Sequence, residues 1–226
     1  MKNIYCTFFL LIFATFTFAQ HAKPVKEVDQ NELIKQTQKS LSENKTVKLI
    51  WWIPIEFWQV IYSKQPNISD AVVGQIVNSL NKYTFVGIVD GQLQNNGTIN
   101  YTSETDVRKN VSIIDSVSKV YKPIKEDELE STTRMMLNTI KPVLQNMLGN
   151  MGDHFYFIAF ENKNSGGNAL LNPYSENGSR IHFYKDVIDF NVPISSLIGD
   201  KTCPKDKKPM NGTWKYCPYH GVELTE

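Results

Sequence analysis

Val47-Lys48-Leu49-Ile50-Trp51-Trp52-Ile53 is a short run of β-branched and aromatic residues carrying one charge. Such a run suits a strand buried on both faces. Pro54 closes it, because proline has no N–H for the next rung of a sheet. Residues 55–62 then fit a second strand or a short helix, and periodicity leaves both open. Downstream, Ser69 and Asp70 form a helix start: a hydroxyl to cap free amides, then an acid in the first turn. Val72, Val73, Ile76, Val77 and Leu80 follow at helical spacing, which predicts a helix ending near Asn81. Residues 83–89 read as the next strand. Asp90-Gly91 and Asn96-Gly97 are both hairpin dipeptides. The turn is placed at Asn96-Gly97, with Ile99 and Tyr101 on the returning strand, and Asp90-Gly91 is read as turn chemistry too.

The pattern continues with a capped helical turn at 103–106 and a hairpin from 111–115 to 117–121. Residues 126–148 form a second helical region with the stripe Met136, Ile140, Val143, Leu144, Met147 and Leu148. Pro142 should kink it, since it cannot donate the helical hydrogen bond. A strand at 154–160 precedes a polar, glycine-rich excursion to residue 178, and short strands follow at 181–184 and 187–190. Two main helices among several hairpin-linked strands predict an α+β fold with a largely antiparallel sheet and a small C-terminal cysteine-clasped hairpin.

Lys2, an apolar run over residues 8–18 and Thr17-Phe18-Ala19 read as an export leader cut after Ala19. The run is too short to span a bilayer, and no transmembrane segment is expected in the mature chain. The chain divides into a signal peptide at 1–19, a polar and partly mobile lead-in at 20–46, a globular body at 47–200 and a cysteine hairpin at 201–226. The expected location is periplasmic or secreted. Of 24 Lys and Arg residues, one leaves with the leader, which leaves 23 against 23 Asp and Glu. A neutral chain without a basic block gives no electrostatic case for nucleic acid or anionic lipid.

The last residues carry two related turns, Cys203-Pro204-Lys205-Asp206-Lys207 and Cys217-Pro218-Tyr219-His220-Gly221. Asn211-Gly212 lies between them as a turn, so the chain folds back and sets the cysteines side by side. In an oxidising compartment they would form a disulfide, worth about 3 kcal/mol for so short a loop. That is the preferred expectation. Alternatively both thiolates bind zinc, with His220 and Asp206 completing a tetrahedron. The stretch resembles a degenerate zinc ribbon, a family with Cys-Pro-x-Cys-Gly knuckles at each end of a hairpin. Asp206 and His220 replace the second cysteine of each knuckle. Gly221 keeps the family glycine and Lys207 does not.

Four large rings, Trp51, Trp52, Phe57 and Trp58, lie within eight residues. They suit a core, or a groove for a glycan or peptide. His154 and His182 sit on expected strands, and a hydrolytic site would need them to converge with a carboxylate. Glu56 and Asp90 read as surface or turn carboxylates. No H-E-x-x-H, G-x-S-x-G or phosphate-loop motif is present. The leading functional expectation is a non-enzymatic exported module of a bacterial cell envelope, binding a glycan or another envelope protein and needing no cofactor. A hydrolase built on His154 and His182 is the alternative, and zinc binding by the C-terminal hairpin a second one.

Overall fold

A computed structural model describes residues 21–226 apart from residues 42 and 44. The expected leader therefore lies outside the described residues. Along the chain run α1 (Gln30–Thr37), β1 (Gln38–Ser40), β2 (Thr46–Ile53), α2 (Ile55–Ser63), α3 (Asp70–Leu80), β3 (Tyr83–Leu93) and β4 (Ile99–Tyr101). They are followed by α4 (Glu104–Asn110), β5 (Val111–Ile114), β6 (Val120–Tyr121), α5 (Ser131–Met147) and β7 (Tyr156–Glu161). Last come β8 (Arg180–Phe183), β9 (Asp186–Ile188), β10 (Lys201–Thr202) and β11 (Pro209–Met210). The class is α+β and every strand pair is antiparallel.

Strand β3 is the axis. It pairs with β2 along one edge, while on the other its first half pairs with β7 and its end with β4. Strand β1 extends the sheet beyond β2. A second sheet has the order β6-β5-β8-β9. Alternation along β2 assigns its two faces. Trp51 turns to the helices: its indole N–H donates to Thr37 Oγ1 of α1 at 3.2 Å, and its ring meets Phe57 of α2 edge-on at 5.0 Å. Lys48 and Trp52 turn to the other side, Lys48 pairing with Asp186 of β9 and Trp52 meeting Phe190 at 5.4 Å. The order of layers is thus helices, main sheet, second sheet. Residues 50–53 are buried on both faces, as their composition predicts.

The helix ends follow local chemistry. Ser69 Oγ accepts from the Val72 amide, and α3 spans the expected residues. Asp29 caps α1 by accepting from the amides of Asn31 and Glu32. Within the expected lead-in, Leu33 and Thr37 are fully buried and β1 is an edge strand of the main sheet. Residues 55–63 are helix α2, because Pro54 ends the strand and Phe57, Trp58 and Val60 pack inward. The Asn96-Gly97 turn joins β3 to β4, with Gly97 at φ 83°. Asp90-Gly91 makes no turn. Both lie within β3 opposite Lys48 and Val47, and Asp90 accepts from the Thr102 hydroxyl at 2.7 Å. Pro142 lies inside α5, whose buried residues are Thr133, Leu137, Ile140 and Leu144; Val143 and Met147 face outward.

Candidate functional site

Strands β10 and β11 begin a small C-terminal unit with its own core of Cys203, Met210, Cys217 and Leu224. Its two turns have the same hydrogen-bond pattern. In the first, the Lys207 amide donates to Cys203 O at 2.8 Å and the Cys203 amide to Lys208 O at 3.0 Å. In the second, the Gly221 amide donates to Cys217 O at 2.8 Å and the Cys217 amide to Val222 O at 2.8 Å. The fifth residue of each turn is left-handed, Lys207 at φ 60° and Gly221 at φ 64°. The fold therefore imposes on Lys207 a conformation that glycine adopts freely and L side chains rarely do. That strain is kept where two equivalent loops are needed.

The loops converge on one point. Cys203 Sγ lies 3.3 Å from His220 Nδ1, and Cys217 Sγ lies 3.5 Å from the same nitrogen. All three atoms lie within 4.8 Å of one another. Among the described residues no other group of three Cys, His or carboxylate side chains gathers this closely. Asp206 stands in the first loop where His220 stands in the second. Its Oδ1 accepts from the Lys208 amide at 3.2 Å, and it stands outside the three atoms that gather within 4.8 Å.

The expected disulfide is not formed: Cys203 and Cys217 are both free thiols. Each sulfur faces the shared imidazole nitrogen and its own loop's amides. Desolvation opposes ionisation at both sulfurs, and it prevails at Cys203, whose thiol is pushed up. At Cys217 the amides of Tyr219 and His220, together with the Cys203 thiol, outweigh it and hold the thiol below its ordinary value. Asp206 is held below the usual carboxylate range against the pull of burial, by the Cys203 thiol, the Lys208 amide and the nearby His220 and Lys208.

A fit test for zinc uses these distances. Bonds of about 2.3 Å to sulfur and about 2.0–2.1 Å to nitrogen at tetrahedral angles set sulfur–nitrogen edges of about 3.6 Å. The observed 3.3 and 3.5 Å fall just inside that length. Two thiols and an imidazole are also the donor set zinc prefers. Cys203, Cys217 and His220 fit the ion as three of its four ligands.

The other sequence candidates are dispersed. Trp51, Trp52, Phe57 and Trp58 are all buried, at most 3% exposed, so the aromatic cluster is core and not an open groove. His154 ends a 3₁₀ turn ahead of β7 and stacks flat on Tyr101, ring centres 3.9 Å apart. His182 lies on β8 in the second sheet, opposite Ser112 and Val187. Neither joins the other in a group of three potential ligands.

Two carboxylates matter more than their sequence setting suggests. Asp115 binds the amides of Val117, Lys119 and Ser165 and the hydroxyls of Tyr121 and Ser165, all within 3.2 Å. It ties the β5–β6 turn to the loop after β7. Glu56, in the first turn of α2, is 9% exposed and sits at the end of the main sheet beneath that same loop. The signal for Glu56 was a single acid in the apolar run Ile53-Pro54-Ile55-Glu56-Phe57-Trp58, which a surface carboxylate does not explain. Comparisons of the chain with protein-family models, with curated proteins and with solved structures find no match.

Proposed function

We propose that the protein is an exported, non-enzymatic binding module of the cell envelope whose C-terminal hairpin holds one zinc ion. Cys203, Cys217 and His220 are the ligands, and Asp206, at the matching position of the first loop, would move in to supply the fourth. The observation that carries the metal assignment is the convergence of two sulfurs and one imidazole nitrogen at sulfur–nitrogen distances of 3.3 and 3.5 Å. The role is structural. Four buried side chains are a small core for a unit of this length, and units of this size usually rely on a metal or a cross-link. A bound zinc would fasten both loops at once, since it binds the folded hairpin far more strongly than the unfolded one. Lys207 and Lys208 flank the site and offset the charge of two thiolates and a carboxylate. Export rests on the leader sequence, and the binding role on the cavity at Glu56 described next.

Intact mass of the exported, purified chain tests the assignment, measured natively and then denatured without reductant. One zinc per chain in the native spectrum, with two free thiols on denaturation, is expected. His220→Ala and Cys217→Ser should each lose the ion. A denatured mass two hydrogens light, with no metal in the native spectrum, would return the hairpin to a disulfide clasp.

A further inference from the structure

The loop after β7 arches over the end of the main sheet and forms with it a half-open cavity of about 230 Å³. Its walls come from three separate stretches: the β2–α2 junction with Trp52 and Glu56, the start of β3 with Tyr83 and Thr84, and the loop with Asn172 and Tyr174. Nothing from residues 201–226 lines it, so it is independent of the zinc hairpin.

Among the described residues, Glu56 is the one formally charged residue on these walls, and no lysine, arginine or histidine lines the cavity. One carboxylate oxygen, Oε2, is buried and has no hydrogen-bond partner among the described residues. The remaining support for the group is its own backbone amide and the Tyr174 phenol. Burial raises the Glu56 carboxyl above its usual range, and no neighbouring cation counters that. The same contact and burial push the Tyr174 phenol up, so it remains a hydrogen-bond donor. A carboxyl group taken out of water without an opposite charge or a full set of donors is costly, and proteins seldom keep one without use for it.

The chemistry of the walls selects among ligands. An anion would meet a carboxylate and no cation. A metal ion would find one carboxylate, and among the described residues no second or third ligand group gathers there. With a neutral ligand nothing would draw the buried carboxyl into its ionised form, whereas a cation would. We propose that this cavity binds a small organic ammonium ion, whose charge pairs with Glu56 and whose body lies against Trp52 and Tyr174. The rings add a favourable face to a cation. This gives the binding module a ligand class, and it stands or falls apart from the zinc ion.

The test uses the mature, full chain and three pairs of probes: benzylamine with benzyl alcohol, cyclohexylamine with cyclohexanol, and glucosamine with glucose. Tryptophan fluorescence reports occupancy through Trp52, and titration calorimetry reports affinity. At least one amine should bind, by at least about tenfold over its alcohol partner. Glu56→Gln should cost that amine about tenfold or more while leaving zinc content unchanged. Three results would overturn the proposal. They are no amine binding up to about 10 mM, alcohols binding as well as amines, and unaltered amine affinity in a folded Glu56→Gln protein. The amine–alcohol comparison on the unaltered chain needs no variant, so a misfolded mutant cannot shelter the idea. A native chain that binds the amine but carries no zinc would refute the metal reading alone.

Discussion

Replacing Gly87 by alanine would strike the aromatic layer where it is tightest. Gly87 lies near the middle of β3, opposite Trp51 of β2 and Phe157 of β7. A methyl carbon built on it falls 2.0 Å from Cζ of Phe155 and 2.2 Å from Cε2. Ordinary contact begins near 3.4 Å, so the ring edge must retreat by about 1.4 Å. It has little room to do so. Phe155 is 4% exposed, with Trp51 at 6.0 Å and Phe157 at 6.4 Å between ring centres. Overpacking of this kind costs about 1–3 kcal/mol, and expelling the ring would forfeit about 3–5 kcal/mol. Alanine regains about 0.5–1 kcal/mol of glycine's entropic cost in a strand. The net expectation is a loss of about 0.5–2.5 kcal/mol if the ring shifts, and more if it is expelled. Urea unfolding followed by tryptophan fluorescence gives the value from the midpoint at constant slope. A double-mutant cycle sharpens the test. Phe155→Leu removes the ring edge that the methyl group strikes, so Gly87→Ala should cost about 1–2 kcal/mol less in that background. Additive losses, or a Gly87→Ala protein as stable as the parent, would refute the claim that Gly87 exists to seat Phe155.

Two other positions yield outcomes of a different kind. The Asp115 carboxyl is held down at about 2: burial opposes this, but the Ser165 hydroxyl, the amides of Lys119 and Ser165 and the Tyr121 phenol prevail. Its folded value lies below its unfolded value of about 3.9, so its contribution is full above that value and is lost as pH falls toward about 2. Asp115→Asn should therefore be less stable than the parent near neutrality and lose less stability between about pH 4 and pH 2, read from urea midpoints across that range; parallel pH profiles would count against the assignment. Gly212→Ala should loosen the hairpin from the body, because a methyl carbon there falls 1.9 Å from Gly199 O, a backbone atom that cannot yield as a side chain can. Faster proteolysis near residue 200 with zinc content unchanged is expected, and unaltered cleavage would mean the two units are not held at that contact.

How much of this was legible in the sequence depended on how local each determinant is. Helix α3 was readable to its cap because Ser69 and the Val72 amide it binds are neighbours. The β3–β4 hairpin was readable because Asn96-Gly97 specifies its own turn. Asp90-Gly91 carries the same local signal yet lies in mid-strand, since β3 runs on past it to pair with both β2 and β4. Tertiary pairing overrode turn propensity there. The stripe of α5 was misread in part for a similar reason. Leu137 is buried near Leu129, Phe157 and Ala159 while Val143 is exposed, and no spacing within α5 says which flank meets β7. The lead-in looked expendable because it is polar on average, but Leu33 and Thr37 alone were enough to bury one side of α1 and to seat the Trp51 indole.

The two proposed sites fall on opposite sides of the same line. Each cysteine loop closes on itself within six residues, and its hydrogen bonds turn the cysteine and the residue three positions later to one side. Sequence spacing therefore named Cys203, Asp206, Cys217 and His220 together. What it could not supply was the choice between cross-link and metal, because export and two nearby cysteines argue for a disulfide whatever else is present. The His220 nitrogen between the two sulfurs alters that balance, since a third donor at 3.3 and 3.5 Å is not needed by a disulfide and is needed by zinc. The Glu56 cavity is the converse case. Its walls lie far apart in the chain and meet only because β2 ends, β3 begins and β7 ends at the same edge of one sheet. Within the sequence Glu56 is one acid among many. In the fold it is a buried carboxyl in a cavity where no cationic side chain among the described residues faces it, and that isolation, which only the assembled sheet creates, is the reason to look for a cationic ligand there.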